Sequence, residues 1–171
     1  MVAAAFRVQG AFAKDEKMTS KVYVALRVPC DPMRAFEAFT QEIGAWWQPS
    51  GLFQITPRGD GKLSFEPGKR LITTLGNGKT FEIGRVLAWE PGKRLAFEWR
   101  QATFAKDQKT EVEVCFEAVG EETRVSIEHR GWDRIPQDHV ARHGFPEHST
   151  LQRTSEWWRE SLSAFKRRLE A

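Results

Sequence analysis

The chain has 171 residues, a formal net charge of +3, and seven Trp and twelve Phe against a single Tyr. This length predicts one domain that buries roughly two thirds of its unfolded surface around an aromatic-rich interior. The 26 basic and 23 acidic side chains are mixed along the sequence, which argues against a nucleic-acid-binding protein, and no apolar stretch is long enough to predict membrane insertion.

The N-terminal segment carries no clear element signal, so we expect a flexible tail (1–19) before a single domain (20–171). Arg7 interrupts the short apolar stretch of this tail, and no convincing cleavage site follows it, which disfavours a secretory signal peptide. Cys30 and Cys115 lie far apart in sequence, without the spacing of a metal site. We therefore predict reduced thiols, a cytoplasmic location and no cofactor.

Alternating apolar residues over 22–28 predict the first strand. A helix is then expected to begin at Asp31 and Pro32, because Asp caps the free N–H groups of a first turn and Pro has no N–H to leave unpaired. Its apolar residues recur at spacings of three and four, which indicates an amphipathic helix. We expect Gly44 to end or bend this helix, and a second helical turn to follow at the Trp46–Trp47 pair.

One phrase occurs twice in the middle of the chain, as FEPGKRLITTL at 65–75 and as WEPGKRLAFEW at 89–99. Each Pro-Gly predicts a type II turn, so each phrase predicts the corner of a β-hairpin. Asn77-Gly78 predicts a further tight hairpin. Together these turns predict an antiparallel meander whose strands lie at 53–55, 61–65, 69–75, 79–89, 94–102, 111–118 and 123–129.

The C-terminal part of the chain divides into a loop and a helix. Proline, glycine and polar residues over 131–149 predict a long loop. His139 and His143 have the four-residue spacing of some zinc sites, with His148 nearby, but no cysteine lies near them and we predict no metal. From Leu151 to Leu169 apolar residues recur at helical spacing, which predicts a long helix lying on the dry face of the sheet.

This order of elements resembles the helix-grip fold of the START-like superfamily: an α+β fold with a curved antiparallel sheet of about seven strands wrapped around a long C-terminal helix, and two short helices after the first strand. Three segments resemble the family of homologues of the activator of heat-shock-protein ATPase: PCDPMRAFEAFTQEIGAWWQP, GRVLAWEPGKRLAFEW and TEVEVCFEAVGEETRVSIEHRGW. The resemblance covers about residues 20 to 170.

The resemblance implies an apolar cavity between the sheet and the C-terminal helix that holds a small hydrophobic molecule. Aromatic residues are the expected cavity walls: plain core packing is the better explanation of any single one of them, whereas the set as a whole fits a cavity better. The candidate ligand-binding residues are Trp47, Phe53, Phe81, Arg85, Trp89, Phe97, Trp99, Phe116, His129, Trp132 and Trp158.

Two polar candidates open an enzymatic alternative of cyclase, dehydratase or hydrolase type. His129 shares the dry face of its strand with Val125 and Ile127, where it acts either as a general acid or base or as a core histidine. Arg85 falls on the inner face unless Gly84 marks a bulge that turns it outward. There it would bind an anionic or carbonyl group of a ligand, or form a salt bridge.

A third alternative is a protein partner. The resemblance implies a co-chaperone-like role that regulates an ATPase, although the eukaryotic activators pair a domain like this one with a separate N-terminal domain. Edge strands and exposed tryptophans also leave a homodimer open.

Overall fold

The structure is a computed structural model that describes residues 20–48, 55–56 and 61–171. Its strands are β1 (Lys21–Val28), β2 (Lys62–Glu66), β3 (Arg70–Thr74), β4 (Thr80–Glu90), β5 (Arg94–Trp99), β6 (Thr110–Val119) and β7 (Glu122–Arg130). Its α-helices are α1 (Pro32–Gln41), α2 (Ile43–Trp46) and α3 (Glu147–Glu170), and two short 3-10 turns, Trp132–Arg134 and Val140–Arg142, precede α3.

The seven described strands form one antiparallel sheet in the order β1-β7-β6-β5-β4-β3-β2. The predicted α+β helix-grip fold is confirmed. The strand expected at 53–55 lies outside the described residues except for Ile55, which is in a bend. No helix in the described part of the chain is long and apolar enough to cross a membrane.

Helix α1 begins as its sequence predicts. The Asp31 carboxylate accepts a 2.9 Å hydrogen bond from the Arg34 backbone N–H, and Pro32 is the first helical residue. Gly44, however, lies inside α2 instead of ending α1. A Cβ at that position would lie 2.9 Å from the Leu63 carbonyl oxygen, so glycine is needed for the close approach of α2 to β2.

The two copies of the repeated phrase form the same corner. In the β2–β3 corner the Lys69 N–H donates to the Glu66 carbonyl, and in the β4–β5 corner the Lys93 N–H donates to the Glu90 carbonyl, each over 2.9 Å. The intervening glycines have positive φ, +68° at Gly68 and +73° in the second corner. The predicted Pro-Gly turns are therefore confirmed, and both corners lie at the end of the sheet that α1 covers.

Strand β4 contains an irregularity that changes which residues face inward. In β3, Leu71 pairs with Gly84 of β4, and the next residue, Ile72, pairs with Glu82. Ile83 therefore has no partner in β3 and is an extra residue of β4. A Cβ at Gly84 would lie 1.7 Å from the Glu98 carbonyl oxygen, which leaves room only for glycine. Beyond this bulge Arg85 pairs with Arg70 and is exposed, so its expected inward orientation is wrong.

Helix α3 lies over the inner face of the sheet and closes the core. Its predicted apolar stripe is confirmed, because Trp158, Leu162 and Phe165 are fully buried and the two end residues, Leu151 and Leu169, pack against the core. The outer face of the sheet carries ion pairs between neighbouring strands, such as the 2.7 Å contact of the Arg94 guanidinium with Glu113. The sheet therefore has one dry face and one charged face, as the alternation of residues predicts.

Candidate ligand-binding site

The structure places the predicted ligand-binding residues in three different environments. Phe97, Trp99, Phe116, His129, Trp132 and Trp158 are buried in the core. Trp47 and Trp89 are half-buried, whereas Phe81 is 47% exposed and Arg85 faces solvent. Phe53 lies outside the described residues. These residues therefore do not line one common cavity.

Aromatic rings fill the space between the sheet and α3. The Trp47 ring lies 5.3 Å from that of Trp99, 5.1 Å from that of Trp157 and 5.6 Å from that of Trp158, measured between centroids. Tilted and edge-to-face contacts of this kind are typical of a packed core. Among the described residues these rings pack directly against one another, and Trp99 and Trp158 have no solvent-accessible surface.

His129 is the centre of a closed hydrogen-bond chain inside this core. The Trp158 indole N–H donates to His129 Nδ1 over 3.1 Å, and an indole nitrogen can only donate. His129 Nε2 must therefore carry the proton, which it donates to Thr110 Oγ1 over 2.7 Å. The Thr110 hydroxyl in turn donates to the Trp99 carbonyl over 3.2 Å. This chain joins β5, β6, β7 and α3.

Both nitrogens of His129 are used within the protein. Burial lowers the pKa of the imidazole to about 3, because desolvation disfavours the charged form and no carboxylate faces the ring to offset it. Arg85 lies on the opposite face of the sheet, on β4. The histidine–arginine pair that the enzymatic alternative requires is thus not brought together, and His129 has the features of a core histidine.

The remaining histidines and cysteines do not form a metal centre in the described part of the chain, where no group of three or more His, Cys, Asp and Glu side chains is suitably placed. His139 Nδ1 accepts a 3.0 Å hydrogen bond from the Ala141 N–H and so caps the short turn that follows. Burial raises the pKa of both thiols, Cys30 and Cys115, which disfavours the reactive thiolate.

Several polar groups of the interior have no hydrogen-bond partner among the described residues. They are Trp99 Nε1, Gln101 Nε2, Ser161 Oγ and Thr73 Oγ1. Ser161 lies one turn after Trp157 and Trp158 on the buried face of α3. A buried unpaired donor costs roughly 1–3 kcal/mol, so the core tolerates some unfavourable desolvation beside its tryptophans.

In the described part of the chain, an open apolar volume lies between α1 and the two hairpin corners. We call this space the corner groove; its volume is about 260 Å³. It is lined by Met33, Phe36, Glu37, Thr40, Gln41, Phe65, Pro67, Trp89 and Pro91. The wall is therefore mainly aromatic side chains and proline rings, which is the composition expected of a small-molecule site.

The repeated phrase builds one side of the corner groove. Phe65 and Trp89 hold the same position in the two copies, two residues before the proline, and their rings meet edge to face with centroids 5.8 Å apart. The Phe36 ring of α1 lies 5.2 Å from Trp89 and is nearly perpendicular to it. The three rings hold one another in place, so the floor of the groove is preformed.

The sequence indicated only part of this groove. Trp89 is the one predicted ligand-binding residue that lines it. The patterns around the other lining residues predict an amphipathic helix at Phe36 and tight turns at Pro67 and Pro91, and neither pattern points to a ligand contact. The sequence does contain a signal for the groove, namely the repeated phrase. Two identical corners on adjacent hairpins bring equivalent aromatic residues to the same end of the sheet.

Comparison with known proteins supports the fold and identifies the family. The structure is similar to that of a protein from Mesorhizobium loti, with 20% sequence identity and a TM-score of 0.61; the match covers 88% of this chain and 96% of that one. It is also similar to the Aha1 dimer from Colwellia psychrerythraea, with 17% identity and a TM-score of 0.57, over 88% of this chain and 96% of that one. A third similar structure is that of an HSP90 activator from Plasmodium falciparum, with 16% identity and a TM-score of 0.53; the match covers 81% of this chain and 87% of that one.

No curated protein matches the sequence. The model of the family described as activator of Hsp90 ATPase homolog 1-like proteins matches residues 29–170, which include both short helices, strands β2 to β7 and the whole of α3. The chain therefore belongs to the family of activator of Hsp90 ATPase homolog 1-like proteins.

Proposed function

We propose that this protein binds a small hydrophobic molecule, and that it does so in the corner groove. The observation that carries the proposal is the groove itself, an open space of about 260 Å³ with three mutually packed aromatic rings at its floor. This location differs from the expected one under α3, where Trp99 and Trp158 have no exposed surface.

The size of the corner groove limits the ligand. Pockets for drug-sized molecules are typically about 300–1,000 Å³, so this groove suits a molecule of one or two rings. Apolar burial contributes about 25 cal/mol per Å² of surface removed from water, and the preformed floor reduces the ordering cost of binding. Met33 is 46% exposed at the rim, where a flexible thioether can adapt to different ligands.

The test uses N-phenyl-1-naphthylamine, a neutral two-ring probe whose fluorescence rises in apolar surroundings. We expect saturable binding to the full chain. We expect Trp89→Ala to weaken it at least tenfold, because loss of this ring removes both a wall and an aromatic contact worth about 1.5 kcal/mol. Met33→Trp should also weaken it by filling the groove from its rim, with little effect on folding because Met33 is exposed.

Leu87→Ala is the matched control. Leu87 lies two residues before Trp89 on the same strand but is 51% exposed and does not line the groove. Its replacement should leave probe affinity unchanged. Binding that is indifferent to both Trp89→Ala and Met33→Trp would place the probe elsewhere and overturn the proposal.

A second candidate function is regulation of a chaperone ATPase. Two observations support it: the family match, and the similarity to a structure described as an HSP90 activator. The test is the rate of ATP hydrolysis by a purified Hsp90-type chaperone with increasing amounts of this protein. A saturable change in rate supports the role, and an unchanged rate together with no binding in sedimentation dismisses it.

A further inference from the structure

Each of the two hairpin corners carries one lysine, two residues after a proline that lines the corner groove. These lysines, Lys69 and Lys93, hold the same position in the repeated phrase, and both side chains are exposed. Each lysine has a long flexible stem with a strongly hydrated charge at its end, and can reach a ligand bound beside its proline.

The arginines that follow these lysines are already paired. Arg70 binds Glu66 over 2.8 Å, and Arg94 binds Glu113 over 2.7 Å. Arg70 is the main cause of the lowered pKa of the Glu66 carboxyl, and the charge of Lys69 contributes less to it. In contrast to the arginines, neither lysine forms a salt bridge within the described residues, so each keeps its charge available for a ligand.

The opposite wall carries one opposing charge. Glu37 of α1 is half-buried and lines the groove, and among the described residues it forms no salt bridge. The other charges at this end of α1 are engaged: Arg34 binds Glu42 over 2.7 Å, and Asp31 caps the helix. Among the described residues, the charges near the groove that form no salt bridge are therefore two lysines at the corners and one carboxylate on the helix wall.

We infer that the ligand of the corner groove is an anionic amphiphile, whose apolar body lies on Phe65 and Trp89 and whose carboxylate, sulfonate or phosphate lies between Lys69 and Lys93. This inference rests on the proposed function, because it needs the groove to be occupied. Two cations beside an apolar floor match such a molecule in both charge and polarity, and an anion at the corners lies away from the Glu37 wall.

The test compares two probes that share one skeleton. N-phenyl-1-naphthylamine is neutral, and 1-anilinonaphthalene-8-sulfonate adds a single sulfonate to it. At low salt we expect the sulfonate to bind wild-type protein more tightly than the amine. The double variant Lys69→Gln, Lys93→Gln should weaken sulfonate binding about three- to tenfold and change amine binding less than twofold, because each exposed ion pair contributes modestly.

Two further variants test which sign of charge favours sulfonate binding and where on the protein that charge acts. Glu37→Gln should strengthen sulfonate binding about twofold by removing a like charge. Lys79→Gln is the matched control, since Lys79 is also exposed but belongs to the Asn77-Gly78 hairpin outside the groove. It should change neither affinity, and added salt should weaken only the sulfonate.

The outcomes separate the two claims. If the amine binds in the groove but the sulfonate is no tighter and ignores the lysine substitutions, the anionic ligand is wrong and the hydrophobic groove stands. If neither Trp89→Ala nor Met33→Trp affects the binding of either probe, both claims fail. Sulfonate binding that depends on the lysines but not on Trp89 would also overturn the inference, because the charge would then act without the apolar floor.

Discussion

The interior under α3 and the corner groove use the same aromatic residue types to opposite effect. Under α3, four tryptophan rings contact one another and His129 ties β5, β6, β7 and α3 together. In the corner groove, three aromatic rings contact one another but leave a space of about 260 Å³ open above them. The difference teaches that the number of aromatic residues does not identify a cavity; it matters whether a helix covers their faces.

The largest expected effect contrasts one tryptophan from each region. Trp158→Ala should lower the free energy of unfolding by about 3–5 kcal/mol, because it leaves a large void and removes the donor to His129. Trp89→Ala should cost only about 1–2 kcal/mol, since this side chain is already half-exposed. Urea unfolding followed by circular dichroism measures both; equal losses would contradict the division into a filled core and an open groove.

The next prediction concerns pH and tests the core alone. His129 has a folded pKa of about 3 against an ordinary value of 6.5, so below pH 6.5 the unfolded chain binds a proton that the folded chain excludes. The stability that depends on neutral His129 is complete above pH 6.5 and is lost progressively as the pH falls towards 3. The loss at pH 5 should be about 2 kcal/mol relative to pH 7.

Two variants identify the responsible histidine. His129→Gln should reduce the difference in unfolding free energy between pH 7 and pH 5 by about 2 kcal/mol, even though the variant is less stable at both pH values. His148→Gln, at an exposed position on α3, should retain the wild-type difference. If both variants show the wild-type difference, the buried imidazole is not the cause.

The smallest expected effect is a gain in stability. Ser161→Ala removes a buried hydroxyl that has no partner among the described residues, and should raise the free energy of unfolding by about 1 kcal/mol. Ser163→Ala is the matched control, because its hydroxyl is exposed and donates to the Arg159 carbonyl over 2.8 Å. It reports the change in helix propensity together with the loss of one exposed hydrogen bond. A loss of stability in Ser161→Ala would show that the hydroxyl is satisfied in solution.

Local patterns predicted most of the fold. Asp31 and Pro32 begin α1, the Pro-Gly pairs form the two corners, and the spacing of Trp158, Leu162 and Phe165 locates α3. Each of these features depends on residues within a few positions of one another, where turn geometry and helical periodicity act directly. His129 was likewise placed on the dry face correctly by alternation along β7.

The candidate site was predicted less well, because it depends on contacts between distant segments. Alternation placed Arg85 inside unless Gly84 marks a bulge, and the extra residue at Ile83 turns Arg85 to the outer face. Gly84 is the sequence signal for this bulge, whereas the close approach of the β5 backbone at Glu98, which excludes a side chain at position 84, is not visible in the spacing of β4 alone. The same limit applies to Phe36 and Phe65, which meet Trp89 only after α1 folds over the corners.

By itself, the sequence determined the order of the elements, the capped first helix, the two identical corners and the buried stripe of the last helix. It did so because these features follow from backbone conformation and from the periodicity of apolar residues. Only the tertiary structure decided that Trp99 and Trp158 fill the core, that His129 is closed off from any ligand, and that the corners and α1 leave a groove open. The physical reason is that packing sums contacts from many segments, and whether rings meet or leave a space depends on how helices and strands approach one another.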